Sequence, residues 1–229
     1  EQIAGVAKKN GDKCVSHERI YQFIWQDKRK KGTLYLDLRN RGRRYKKRSV
    51  IYDKRGIIPN RTDISQRPPE VELRERFGDL EIDLIIGKNH KGAILTINDR
   101  ATGFGKLRKL DGKDAQQLAT ATIDCLMEWK PFLKTITSDN GKEFAAHELV
   151  AKQLNIDFFF AKPYASWQRG SNENFNRLVR QYIPKKVDFD CIPTDYINFV
   201  EYQLNNRPRK RFKYESPMFM FNQKVAFST

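Results

Sequence analysis

Two periodicities organise the chain. From about residue 78, apolar and polar positions alternate as they do in a strand: in "GDLEIDLIIG", Leu80, Ile82, Leu84 and Ile86 share one face and leave Glu81 and Asp83 together on the other. "AILTIND" and "GFGKLRKL" continue the alternation, and the short Gly- and Asn-containing joins suit an antiparallel meander. The period then becomes helical in "KDAQQLATATIDCLMEW", where Ala115, Leu118, Ala119, Thr122, Leu126 and Trp129 fall on one core-facing stripe. A strand "KTITSD", a helix from about Glu143 to Leu154, a strand "IDFFFA" and two further helices follow. A helix crossover should return "KTITSD" parallel to the first strand. The pattern predicts an α/β domain over residues 63–229, with a mixed five-stranded sheet and flanking helices.

The first 36 residues read differently. An apolar helix, a break at Asn10-Gly11-Asp12 and a second helix N-capped by Ser16 give a small all-α helix-turn-helix outline. Val15 and Ile20 form a candidate hydrophobic staple, and Ile20, Phe23 and Ile24 a candidate buried stripe. His17, Arg19, Gln22 and Gln26 then point outward, where such residues read base edges, although any two-helix hairpin shows the same outline. Residues 37–62 form a linker carrying Arg41, Arg43, Arg44, Lys46, Lys47 and Arg48, either tracking phosphates or simply solvated. The helical pattern is already running at Glu1, so the sequence is expected to continue upstream.

Charge narrows the partners. Lys and Arg outnumber Asp and Glu 44 to 28, and a net charge of +16 favours a polyanion over an acidic metabolite. A basic surface without chemistry would satisfy the same count. Cys14, Cys125 and Cys191 are too dispersed for a metal knuckle and odd in number, which suits a reducing compartment. No apolar run approaches the roughly 20 residues of a membrane span, so a cytoplasmic protein without a membrane partner is expected.

Against that background, three carboxylates stand out. In "TITSDNGKEF", Asp139 ends an apolar strand just before a helix, the place where working residues gather in open α/β sheets. A turn at Asn140-Gly141 accounts for the Asn and the Gly but not for the Asp. In "SNENFNRLVRQYIPKK", Phe175, Leu178, Val179 and Tyr182 make an apolar stripe, while Glu173, Asn176, Arg177 and Arg180 line another face. That second face is either solvated, with a Glu173–Arg177 ion pair, or a place where a metal and a DNA backbone meet. Asp83, Asp139 and Glu173 together can offer hard oxygen ligands to two Mg²⁺ ions about 3.5–4 Å apart, with Mn²⁺ as a substitute. The three histidines have no close metal-ligand spacing.

The runs "FGDLEIDLIIG", "TSDNGKEFAAH" and "KPYASWQRGSNENFNRLVRQYIPKK" resemble the catalytic motifs of bacterial DDE transposases of the insertion sequence 30 family. The likeness extends to "EQIAG", "VSHERIYQFI" and "LNNRPRKRFKYESP", and 33 residues separate Asp139 from Glu173, as in that family. The resemblance implies a ribonuclease H-like fold of the retroviral integrase type, with Asp83, Asp139 and Glu173 as a metal-binding triad. The family usually has Trp where Leu80 stands and Gly where Arg177 stands, and Glu81 remains a possible substitute for Asp83. It further implies double-stranded DNA as partner, both element ends and target, cut and joined by a homodimer or higher multimer in a synaptic complex. Lys162, Arg169 and Lys185 flank the site as candidate phosphate contacts, Trp167 either stacks on a base or wedges its loop, and His147 either caps or packs on its helix or stands near the metals. A ribonuclease H-type nuclease, or a repressor without catalysis, would share part of this pattern.

Overall fold

The computed structural model describes residues 1–39, 58–163, 165–185 and 187–226. The chain forms two compact units, Glu1–Ile51 with Pro208–Ser216, and Tyr52–Arg207 with Pro217–Thr229. The basic residues Arg41, Arg43, Arg44, Lys46, Lys47 and Arg48 lie outside the described residues.

In the smaller unit, α1 (Gln2–Asn10) ends on Gly11, whose φ of 78° supplies the left-handed C-cap that a side chain would strain. α2 (His17–Arg29) starts where the Ser16 hydroxyl accepts from the Arg19 N–H at 3.2 Å. The expected staple does not close, since Val15 is 56% exposed. The expected stripe on α2 is equally incomplete: Ile20 and Ile24 are half-buried, but Phe23 is 62% exposed. A nine-residue stretch far along the sequence belongs to this unit instead. Tyr214 lies against Gly5, where a Cβ would strike its ring, and Lys9 pairs with Glu215.

The larger unit is built on one mixed sheet. Its strands are β1 (Thr62–Asp63), β2 (Asp79–Ile86), β3 (Ala93–Asp99), β4 (Gly105–Leu110), β5 (Thr135–Ser138) and β6 (Asp157–Phe160), in spatial order β1-β6-β5-β2-β3-β4. The meander β2-β3-β4 is antiparallel, and β5 returns parallel to β2 after the α4 (Ala115–Leu126) crossover. The sixth strand, β1, adds to the five expected from alternation, and two residues are too few to show a period.

β2 is central and buried on both faces. Leu80, Ile82 and Leu84 pack with Leu95, Ile97, Leu118, Leu126 and Phe158, on the side that α4 and α5 (His147–Leu154) cover. Each fully buried Leu or Ile there contributes about 1.5–3 kcal/mol. Ile85 packs on the opposite side with Phe175, Leu178 and Val179 of α6 (Gly170–Tyr182) and Ile197, Val200 and Leu204 of α7 (Thr194–Asn206). The odd-numbered residues of β2, Glu81 and Asp83 among them, therefore face α6. A short α3 (Glu70–Leu73) and a last helix α8 (Pro217–Ala226) complete the unit. Among the described residues, no helix is long and apolar enough to cross a membrane.

Candidate active site

Strand register brings the first two carboxylates together. β2 and β5 pair with Leu80 opposite Ile136 and Glu81 opposite Thr137, and continuing that register sets Asp83 beside Asp139, just past the end of β5. One guanidinium spans both: Arg169 Nη1 lies 3.5 Å from Asp83 Oδ2, and Nη2 lies 3.6 Å from Asp139 Oδ2. Arg169 is the residue that starts α6, and its Nη1 also donates to the Ile82 carbonyl at 3.2 Å, so the helix start is tied to β2.

Each aspartate is held in a different way. Asp83 accepts from the Leu84 N–H at 2.9 Å and from Asn176 Nδ2 at 3.0 Å, whereas the buried Asn176 Oδ1 has no partner among the described residues. Burial pushes the Asp83 carboxyl up to about 6; Arg169 opposes this, and the negative charge of Asp139 adds to it. Asp139 accepts from the Gly141 N–H at 2.9 Å through Oδ1, an Asx-type turn that fixes its carboxylate at the strand end.

The loop after Asp139 is not the simple turn expected. Gly141 has φ −68° and ψ 139°, open to any residue. Asn140 is a tether: its Nδ2 donates to the Ala161 carbonyl, and its Oδ1 accepts from Arg61. The helix expected from Glu143 begins four residues later, at His147, after a 3-10 turn over Lys142–Phe144. His147 is buried, its Nδ1 3.2 Å from the Phe144 carbonyl oxygen and its ring edge-on to Phe160, so it packs on its helix start.

Glu81 is not a spare ligand. It is fully buried, accepting from Arg100 Nη1 at 2.6 Å through Oε1 and from the Asn172 N–H at 2.8 Å through Oε2. The start of α6 has no side-chain cap of its own, so Glu81 reaches across from the sheet to satisfy one of its orphan N–H groups. Arg100 donates onward to the exposed Glu72 at 2.8 Å, Glu72 also pairs with Arg67, and Arg67 donates to Thr137 Oγ1 at 2.9 Å, so the buried Glu81–Arg100 pair runs out to the surface through Glu72. Alternation alone could not reveal this, because the partner of Glu81 lies 19 residues away on another strand end.

Glu173 lies on the first turn of α6 and is exposed. Among the described residues, no three His, Cys, Asp or Glu side chains stand close enough to hold a metal ion. On the same helix, Asn176 turns to Asp83, and Arg180 donates to the Ile86 carbonyl at 3.0 Å, so this face is not merely solvated; Arg177 is exposed. Trp167 is 75% exposed and does not wedge its loop. Lys162 and Lys185 are exposed, as are Arg19, Gln22 and Gln26 on α2, with His17 half-buried.

The donor chemistry suits a hard divalent cation. Two carboxylates already share one cationic group, and the amide that donates to Asp83 has, among the described residues, no partner for its oxygen. Of the three carboxylates expected to hold such an ion, the structure brings Asp83 and Asp139 together, while Glu173 stands exposed on α6.

Comparison with known proteins fits this geometry. The chain has a TM-score of 0.53 to the catalytic core domain of BIV integrase at 19% identity, over 66% of this chain and 97% of that one. A chain of the simian T-cell lymphotropic virus intasome, solved with PP2A regulatory subunit B56 gamma, gives the same score at 15% identity, over 64% of this chain and 54% of that one. The chain shares the ribonuclease H-like fold of these integrase chains.

No family model matches the chain. It is 56% identical to the transposase of insertion sequence element IS4351 from Bacteroides fragilis, across 100% of this chain and 72% of the relative. It is 34% identical to the IS1086 transposase of Cupriavidus metallidurans, over 95% of this chain and 65% of that protein. Identity to transposase InsI of IS30A from Escherichia coli is 31%, over 100% of this chain and 62% of InsI. The chain belongs to the insertion-sequence transposases, in the insertion sequence 30 family, and spans roughly two thirds of the length of these relatives.

Proposed function

We propose that the protein is a DDE transposase that binds the terminal inverted repeats of its insertion sequence and catalyses metal-dependent strand cleavage and strand transfer. The observation that carries this reading is the convergence of Asp83 and Asp139, from two parallel strands, on one cationic group at the carboxyl end of β5. Divalent metal, Mg²⁺ or Mn²⁺ as two ions, would activate the attacking oxygen and stabilise the leaving oxygen in an in-line displacement at phosphorus. Asp83 and Asp139 hold the charge of the site on rigid strands, and Glu173 joins them from α6. In the first step water attacks a phosphodiester at the element end, forming a new P–O bond and releasing a 3′-hydroxyl. That hydroxyl then attacks a phosphodiester of the target and expels its 3′ oxygen, with no covalent protein intermediate.

The remaining residues supply binding. Residues 1–36 form the end-reading module, with His17, Arg19, Gln22 and Gln26 toward bases, and the 37–62 segment tracks phosphates. Within the catalytic domain, 63–229, Lys162, Arg169, Asn176, Arg177, Arg180 and Lys185 face the backbone, and the exposed Trp167 stacks on an unpaired base. A homodimer or larger assembly synapses two ends in the cytoplasm. The test is cleavage of end-containing DNA by Asp139→Asn: Mg²⁺-dependent product should vanish while DNA binding persists. Undiminished cleavage by that variant would reject the reading.

A further inference from the structure

The chain on either side of Pro208–Ser216 belongs to the larger unit, but these nine residues belong to the smaller one. They form a closed loop, in which the Arg209 N–H donates to the Glu215 carbonyl at 2.9 Å and the Tyr214 N–H to the Arg209 carbonyl at 3.0 Å. Two successive residues that carry side chains are left-handed there, Lys213 at φ 52° and Tyr214 at φ 68°, a backbone that an aromatic residue adopts only under constraint. That turn seats the Tyr214 ring on α1 in the space Gly5 leaves, where a Cβ would stand 2.0 Å from the ring. Three further ties hold the loop to the same end of the chain: Gln2 donates to the Pro208 carbonyl, Lys9 pairs with Glu215, and Lys210 pairs with Glu1 at 3.3 Å.

What the loop presents is positive charge. Four of its nine residues are basic and one is acidic, and Lys210, Arg211 and Lys213 are exposed. A charge run that is merely solvated needs no fixed conformation. Like charges gathered on a closed, strained loop repel one another, and a polyanion offsets that cost. In a helix-turn-helix the helix before the reading helix crosses the nucleic-acid backbone, and α1 holds that place ahead of α2. We propose that the Arg209–Glu215 loop is a DNA-backbone clamp of the end-reading module, with Lys210, Arg211 and Lys213 meeting phosphates beside the bases that α2 reads. The proposal rests on reading residues 1–36 as that module, and it completes the module with a segment from the far end of the sequence. Phosphate contacts carry no sequence information, so the clamp adds affinity for any duplex and leaves the choice of bases to α2.

The test is fluorescence anisotropy of the whole chain binding two labelled duplexes, one carrying the element end and one a shuffled sequence of the same length, across a range of salt concentrations. Circular dichroism checks folding. Lys210→Gln, Arg211→Gln and Lys213→Gln combined should flatten the slope of log affinity against log salt by about 2–3, at about 0.9 for each of three phosphates, on both duplexes alike. The preference for the end duplex should remain. A triple variant of equal charge change on exposed lysines of the larger unit, Lys130→Gln, Lys134→Gln and Lys152→Gln, should shift the slope by less than about 1. Equal slopes for the two folded triple variants, with end preference intact in the wild-type chain, would overturn the clamp and leave the reading module standing. A wild-type chain that binds both duplexes alike would instead reject the module, and the proposal with it.

Discussion

Glu81 and Asp83 lie two residues apart on one face of β2, yet the regions around them make them different kinds of carboxylate. Under the start of α6, Glu81 is fully buried and matched by the equally buried Arg100 and a backbone N–H, with each oxygen occupied. At the open end, the Asp83 side chain is 24% exposed and the Asp139 side chain 30%, and they share one arginine at 3.5–3.6 Å, longer than a hydrogen bond. A saturated buried pair cannot release its ligand without a large desolvation cost, so it serves as a fixed post. A loosely matched pair at the surface can exchange its cation, which is what a reaction centre needs. The same strand thus anchors a helix through Glu81 and, two residues on, holds a more exposed carboxylate at Asp83.

The strongest way to break this contrast is to neutralise the open end. Asp139→Asn should lower end-DNA cleavage by roughly 10³-fold, since metal-borne charge stabilisation is worth several kcal/mol, while leaving DNA affinity nearly unchanged in a gel-shift titration. At the buried end the loss should appear in stability. Glu81→Gln leaves the Arg100 charge under-matched in the interior and should cost about 3 kcal/mol in urea unfolding, as breaking a buried pair does. Arg169→Gln sharpens the comparison in the opposite sense. With the guanidinium gone, a divalent ion enters without displacing it, and Mn²⁺ affinity in calorimetry should rise by roughly three- to tenfold, about 1 kcal/mol; a fall would mean that Arg169 belongs to the scaffold of the site.

The smallest effect is one of pH. Asp83 ordinarily titrates near 3.8 and is held up to about 6 in the fold, so the folded state keeps a proton that the unfolded state has lost across this window. Metal-free stability should therefore fall as pH rises from about 4 to about 6, and Asp83→Asn should flatten that slope by on the order of 1 kcal/mol. Asp99, pushed up to about 6 by its own burial, gives a slope of the same sign that the variant retains.

Much of this architecture was legible in the sequence because it rests on period. The alternation in "GDLEIDLIIG" marks β2, and the stripe Phe175, Leu178, Val179 marks the buried side of α6. The position of Asp139 at the end of a parallel strand followed from the crossover. What stayed hidden depends on contacts distant in sequence. A polar position on β2 looks the same whether an arginine 19 residues on will bury it, as at Glu81, or leave it open, as at Asp83. Gly141 reads as a turn residue until the Glu143 carboxylate is seen in the space it leaves. The role of Arg169 was legible only as positive charge near the site, not as a bridge between two carboxylates. Phe23 fits a helical stripe by spacing, but spacing cannot tell whether anything packs against it, and it remains exposed.

The most direct test of the central claim is anomalous diffraction from crystals of the protein grown with Mn²⁺. The account predicts a manganese peak between the Asp83 and Asp139 carboxylates, with the Arg169 guanidinium moved away from them. Manganese bound elsewhere, with Arg169 still spanning the two aspartates, would contradict it.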